Sequence, residues 1–271
     1  MGTRYRLFVS FPLMCSMFFC SCQKSSQTPP PKSAQEPSGA VTTAEPAQPS
    51  STTDQVTATT TPKTEPAGQV LEEKLVPLEI RLPKPQFVGT PTNLAVPNLE
   101  KPLGRPRPPF LAPAGTKNVA FQKPVSSSDE QPTIGELSMV TDGDKDASEG
   151  SYVELGPKVQ FVTIDLKAMH TIYAIVVWHF HKQPVVYNDV IVQIADDPDF
   201  VSNVNTVFNN DIDNSAGRGV GKDMSYIETA EGKLIDAKGV QGRYVRLYSR
   251  GNNANELNHY IEVEVYGKPV K

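Results

Sequence analysis

The chain is poor in cysteine: three in 271 residues, all within the first 22. No disulfide can join residues beyond Cys22, so any fold there is held by its own core or by a metal. Aromatics are also scarce early on, and residues 23–115 contain no Trp, Tyr or Cys. No apolar run reaches the roughly 20 residues of a spanning helix. Excess positive charge is missing: the chain carries a net charge of −4. Residues 117–271 hold 15 Lys/Arg against 22 Asp/Glu, which argues against a nucleic-acid-binding face. There is no Gly-x-Ser-x-Gly elbow, no phosphate loop and no His-Glu-x-x-His. The acids fall in turns or on alternating strand faces, where solvation explains them. The chain therefore reads as a non-enzyme.

What is present begins with a short export pattern. Arg4 and Arg6 precede an almost unbroken apolar stretch, Leu7 to Phe19, followed by Cys20-Ser21-Cys22. A basic start, an apolar centre and a small residue before the cut form a secretory signal. The run resembles a bacterial lipoprotein signal, in which a small residue precedes a cysteine that becomes lipid-modified. That resemblance implies Cys22 as the lipidation site and a membrane-anchored place in the bacterial cell envelope. An ordinary cleaved signal that leaves a soluble exported protein is the alternative.

Composition divides the rest into a 22–68 linker, a 69–116 arm and a 117–271 domain. Residues 23–115 hold 18 of the 25 prolines. Up to about Gly68 the chain is Ser, Thr, Pro, Ala and Gln, which cannot bury enough apolar surface to offset its ordering entropy. It reads as a disordered, extended tether. Residues 69–116 stay proline-rich but add Leu78, Ile80 and Leu82 alternating with Glu79 and Arg81, the pattern of an extended arm. The alternative is more linker with scattered apolar residues.

From Lys117 on, period-two alternation dominates. It runs through Val162-Ile164-Leu166, Val190-Val192-Ile194, Val245-Leu247 and Ile261-Val263-Val265. Thr171–His181 is apolar on both faces, as in a central strand. Gly, Asp and Asn clusters separate these runs as turns. The reading is an all-β sandwich or jelly roll.

Five motifs in order give the domain a family resemblance. They are Asn118-Val119-Ala120-Phe121-Gln122-Lys123-Pro124-Val125, Val140-Thr141-Asp142-Gly143-Asp144, Phe161-Val162-Thr163-Ile164-Asp165-Leu166, Gly242-Arg243-Tyr244-Val245-Arg246-Leu247 and Glu262-Val263-Glu264-Val265-Tyr266-Gly267. Over about 118–267 the chain resembles a discoidin, or coagulation factor 5/8 type C, domain. That is the galactose-binding-like jelly roll of carbohydrate-binding module family 32. The resemblance implies a non-catalytic binding module for carbohydrate or a glycan-bearing partner. The alternative is a structural envelope domain that contacts proteins and takes no small ligand. The chain departs from the family after Asp144, where Lys145-Asp146-Ala147-Ser148-Glu149-Gly150 offers no aromatic before Tyr152.

Candidate sites follow from residue chemistry. Asp142, Asp144 and Asp146 form an oxygen-rich turn of the kind hard cations prefer. The resemblance adds Glu262 from the last strand, so Asp142, Asp144 and Glu262 are the expected ligands of a structural Ca²⁺. Asn209, Asn210, Asp211, Asp213 and Asn214 form a second oxygen-rich loop. Sugar recognition needs an aromatic face and planar polar groups, and Tyr187, Arg218, Asn252, Asn253 and His259 supply those types at strand ends and loops. His179 and His181 lie two apart and share a face as a packed or rim pair. Trp178 points the other way with Val176 and Phe180, into core packing.

Overall fold

The computed structural model describes residues 73–89, 91 and 93–270. The signal, Cys22 and the whole 22–68 linker lie outside these residues. The described residues form eleven strands and one 3-10 turn: β1 (Leu75–Pro77), β2 (Leu111–Pro113), β3 (Lys117–Asn118), β4 (Val125–Ser127), η1 (Leu137–Thr141), β5 (Val153–Leu155), β6 (Gln160–Trp178), β7 (Ile191–Ala195), β8 (Asn205–Asn209), β9 (Lys233–Ser249), β10 (Asn258–Tyr260) and β11 (Glu262–Pro269). The large sheet runs β3-β11-β6-β9-β7-β8, and β4 also pairs with β6. A second, two-stranded sheet joins β5 to β10, and every strand pairing is antiparallel. This is the expected all-β sandwich, with layers of unequal size.

Two long strands, β6 and β9, organise it. The runs Val159–Leu166 and Thr171–His181 fall largely within one 19-residue strand. Its pairing with β9 breaks between Asp165 and His170, where Lys167 takes a φ of 69°, and again between Ile172 and Ala174. At the second break the core-facing side chains change parity. Val162, Ile164, Leu166 and Ile172 face the core before it; Ile175 and Val177 do so after it. A bulge of this kind bends a strand and re-aims its side chains. The inner face joins Val192 and Ile194 of β7, Val245 and Leu247 of β9, and Val263 and Val265 of β11. Val153, Leu155 and Tyr260 of the small sheet close over them.

The outer face of the same sheet is also buried. Ala174, Val176 and Trp178 of β6 cluster with Tyr266, and Leu78, Ile80 and Phe110 of the arm pack on them. The arm is antiparallel with itself through β1 and β2. Exposure alternates from Leu75 to Arg81, with Val76, Leu78 and Ile80 turned inward and Leu82 left 51% exposed. Arg107 anchors the return by donating to the carbonyls of Gly232 (2.8 Å) and Glu231 (3.1 Å). Gly232 sits at φ +63° against Trp178, and a Cβ there would come within 2.7 Å of the indole. That crowding and the left-handed backbone both call for glycine. Trp178 Nε1 donates to Ala230 O at 3.0 Å, so the indole is buried with its donor satisfied.

Candidate functional site

The Asp142–Asp146 turn lies against the start of β11. Gly143, at φ +91°, lets the turn close so that its N–H donates to Glu262 Oε2 at 3.1 Å. Asp142 Oδ1 accepts from the Asp144 N–H and Asp144 Oδ1 from the Asp146 N–H, at 2.8 and 2.9 Å. Glu262 is wholly buried, and its Oε1 has no hydrogen-bond partner. Burial first, then the neighbouring Glu264 and Asp142 charges, push its carboxyl up to about 9, against the Gly143 bond and Lys145. Its unpartnered oxygen lies beside an oxygen-rich turn, but Asp142, Asp144 and Glu262 do not bring their carboxylate oxygens within 4.8 Å of one another. Asp142 and Asp144 are exposed, and one oxygen of each already caps the turn. Next to Glu262, Glu264 pairs with Lys145 and accepts from the Tyr266 hydroxyl at 2.8 Å.

Loops at one end of the sandwich are tied to each other. Tyr187 bridges Asn252 across two of them, and Asn253 Oδ1 accepts from the Val186 N–H at 2.8 Å. The Tyr187 hydroxyl and His259 Nδ1 lie 2.8 Å apart, and His259 Nε2 is 3.2 Å from Glu154. Burial lowers the His259 pKa, with Glu154 opposing it. Above His259 sit Tyr152 and the half-buried Phe180, whose rings are 4.7 Å apart. Lys182 and Glu149 form an exposed pair at 2.5 Å linking the same two loops.

These positions correct the expected ligand set. Tyr187 is 1% exposed and stacks on His179 at 4.3 Å, so it offers no ring face to a sugar. Asn252 uses both side-chain atoms inside its own turn: Oδ1 accepts from Ala254 and Asn255, and Nδ2 donates to Asn255 and Leu257. His259 is buried beneath the aromatic pair. Turn-forming Asn and a packed Tyr satisfy backbone groups that would otherwise be orphaned. Asn253 stays exposed. Arg218 is exposed on the 211–220 loop, its guanidinium 5.0 Å over Tyr248.

The carboxylates of the second oxygen-rich loop are satisfied within it, although the buried Asn210 Nδ2 has no hydrogen-bond partner among the described residues. Asp211 accepts from the Ser215 and Ala216 N–H groups, Asp213 from Ser215, and Asp189 from the Ser215 hydroxyl and Arg250. Asp189, Asp211 and Asp213 converge, but on these donors. His179 proves to be fully buried and 2.6 Å from the equally buried Glu228. His181 Nε2 lies 2.9 Å from Lys145 O. The residues missed from sequence are Phe180, Tyr152, Glu154 and Glu228. Only Glu228 carried a signal: it alternates with Tyr226 and Ala230, and all three are buried.

No family model matches the chain. No curated protein matches it in sequence. Among solved structures it is similar to chitosan-binding module 1 of a chitosanase/glucanase from Paenibacillus sp. IK-5, at 18% identity and a TM-score of 0.41, covering 56% of this chain and 99% of that one. It is similar to the fucose-binding module SpX-3 of Streptococcus pneumoniae, at 20% identity and a TM-score of 0.40, covering 55% and 97%. A fucolectin from striped bass serum (Morone saxatilis) matches at 20% identity and a TM-score of 0.40, covering 57% of this chain and 50% of that one.

Proposed function

We propose that this chain is an exported, membrane-anchored binding module that holds a carbohydrate or a glycan-bearing partner at the loop end of its sandwich. One observation carries the reading. Phe180 keeps part of its ring exposed, backed by Tyr152 and His259 and flanked by the Lys182–Glu149 pair. A fixed aromatic face beside charged and amide groups is what stacking on a sugar ring and bonding its hydroxyls require. In this reading Phe180, Lys182, Glu149 and Asn253 touch the ligand, while Tyr187, Asn252 and His259 hold the loops. The test is glycan-array binding of a chain starting at Gln23. Phe180→Ala is expected to lower retention at least tenfold, by loss of a stacking contact of about 1.5 kcal/mol. Unchanged retention would move the site elsewhere.

A structural Ca²⁺ belongs to the same proposal, with Glu262, Asp142 and Asp144 as its carboxylate ligands; the unpartnered Glu262 Oε1 supports it. Ca²⁺ is expected to raise the melting temperature of the wild type but not of Glu262→Gln. Cys22 as the acylated residue rests on the signal pattern alone. Labelling with a radioactive fatty acid, lost in Cys22→Ser, checks it.

The second reading is a structural protein-contact domain in the envelope. Val201, Val204, Ile212, Val220 and Met224, exposed around β8, favour it. Envelope proteins recovered by pull-down, with no glycan retained on the array, would decide for it.

A further inference from the structure

The arm differs from the domain beneath it in both charge and surface. Residues 73–116 carry six Lys/Arg and three Asp/Glu, against the net −7 of residues 117–271. Three of these charges are engaged with the domain: Glu73 with Lys268, Glu100 with Lys233, and Arg107 with the backbone of Glu231 and Gly232. Lys74, Arg81, Lys84, Lys101 and Arg105 are exposed and make no ion pair among the described residues. Glu79 is the one exposed acid left beside them.

Aliphatic side chains adjoin these cations in the chain, as in Lys74-Leu75, Arg81-Leu82 and Leu103-Gly104-Arg105. Leu75 is 57% exposed and Leu111 54%. The β1–β2 register places Leu75 opposite Pro113 and Pro77 opposite Leu111. Directly opposed residues share a face, so Leu75, Pro77, Leu111 and Pro113 form the outward side of the ribbon. The inward side is Val76 and Ala112. Leu82, Val88 and Leu103 are also more than half exposed. Solubility does not call for this arrangement, and the inward side chains already hold the arm in place. Free cations interleaved with exposed aliphatics are the composition that lies on an anionic bilayer: charge draws it in and the apolar groups enter the headgroup boundary.

We propose that the outward face of this arm is a membrane-docking surface for anionic lipid. The acidic domain would be repelled by such a membrane, so the charge split orients the molecule, with the arm toward the lipid and the remainder away from it. The position of the arm in the chain agrees. Residues 1–72, with the apolar run Leu7–Phe19 and Cys22, lead directly into β1. If the anchor reading holds, the tether adds local concentration, so even a weak contact would be occupied much of the time. The docking face does not depend on the anchor, and the test separates them.

The experiment uses the chain from Gln23, which has neither signal nor lipid. Co-sedimentation is measured with vesicles of phosphatidylcholine alone and of phosphatidylcholine with phosphatidylglycerol. Binding is expected to the mixed vesicles, to weaken with salt, and to be at least tenfold weaker on the neutral ones. Arg81→Gln with Lys84→Gln should lower affinity about tenfold or more. Leu75→Ser with Leu111→Ser should do the same. Trp178 emission, unchanged in both variants, reports that the arm is still packed. If the serine variant loses the arm, Leu82→Ser with Leu103→Ser, outside the ribbon, carries the apolar test. Absence of binding to either vesicle overturns the proposal. Loss with the glutamines but not with either leucine pair also overturns it, and makes the face a site for an acidic polymer or protein instead.

Discussion

The two faces of β6 are buried by different parts of the chain. Ile175 and Val177 look inward and are covered by strands of residues 117–271. Val176 and Trp178 look outward and are covered by Leu78, Ile80 and Phe110 from the arm. Both faces are fully buried, yet only the inner one would survive loss of the amino-terminal segment. Composition changes at Lys117, but packing does not. The proline-rich arm is the outer layer of the structure, so a domain cut at the composition boundary would expose the chain's one tryptophan.

The sharpest way to break this comparison is to remove the arm. A chain of 117–271 is expected to lose about 5 kcal/mol from the uncovered face, at roughly 1.5–3 kcal/mol per buried side chain. Its melting temperature should fall by on the order of 10 °C. Trp178 is the one Trp in the sequence, so its emission should move to the red as water reaches the indole. An unshifted spectrum would mean that the arm is incidental. On the inner side, Glu228→Ala should cost about 3–5 kcal/mol, because it leaves His179 facing Tyr226 and Tyr187 without its carboxylate. Chemical denaturation measures that, with no change expected in Trp178 emission of the native state. A smaller probe of the outer face is Phe110→Ala, at about 2 kcal/mol for a partly buried ring. Its loss should appear together with a partial red shift, which separates the two faces by spectroscopy.

The sequence reveals this architecture unevenly, for physical reasons. Strands with one wet face announce themselves by alternation, as Val245 and Leu247 did. Buried face pairs do not, and β6 reads as two runs because its bulges reset the parity at Ile172. The arm was legible as an extended segment through Leu78 and Ile80; what they cover was not, since covering is a long-range property. At the loop end, the residue types of Tyr187, Asn252 and His259 suit a ligand and suit a loop clamp equally. Polar groups in tight turns must be satisfied, and here the protein's own backbone satisfies them. Phe180 stood in an apolar run, with nothing in its neighbours to show that its ring would remain half exposed.

The smallest effect at acid pH is also the one that tests whether the outer face ends in a cation site. Glu262 lies on β11 opposite Trp178, at the edge of the arm-covered cluster. Its carboxyl is raised from 4.5 to about 9 by burial. Below its ordinary range it is protonated folded or unfolded, and the full stability is present. As pH rises from about 4.5 toward 9 the unfolded chain ionises first, and stability falls. In chelator, the wild type should therefore lose stability steadily across that window, while Glu262→Gln, neutral throughout, should show a flatter profile. Near pH 4, where the side chain is neutral in both the folded and the unfolded chain, the two should differ by only about 1 kcal/mol, as near isosteres; by pH 7 the penalty on the wild type should have grown to about 3 kcal/mol. Added Ca²⁺ should flatten the wild-type profile, because the ion stabilises the ionised carboxylate that burial penalises. If wild type and Glu262→Gln give the same slope in chelator, the Glu262 carboxyl is not held in its neutral form, and the turn at Asp142–Asp144 closes over Glu262 without need of a cation.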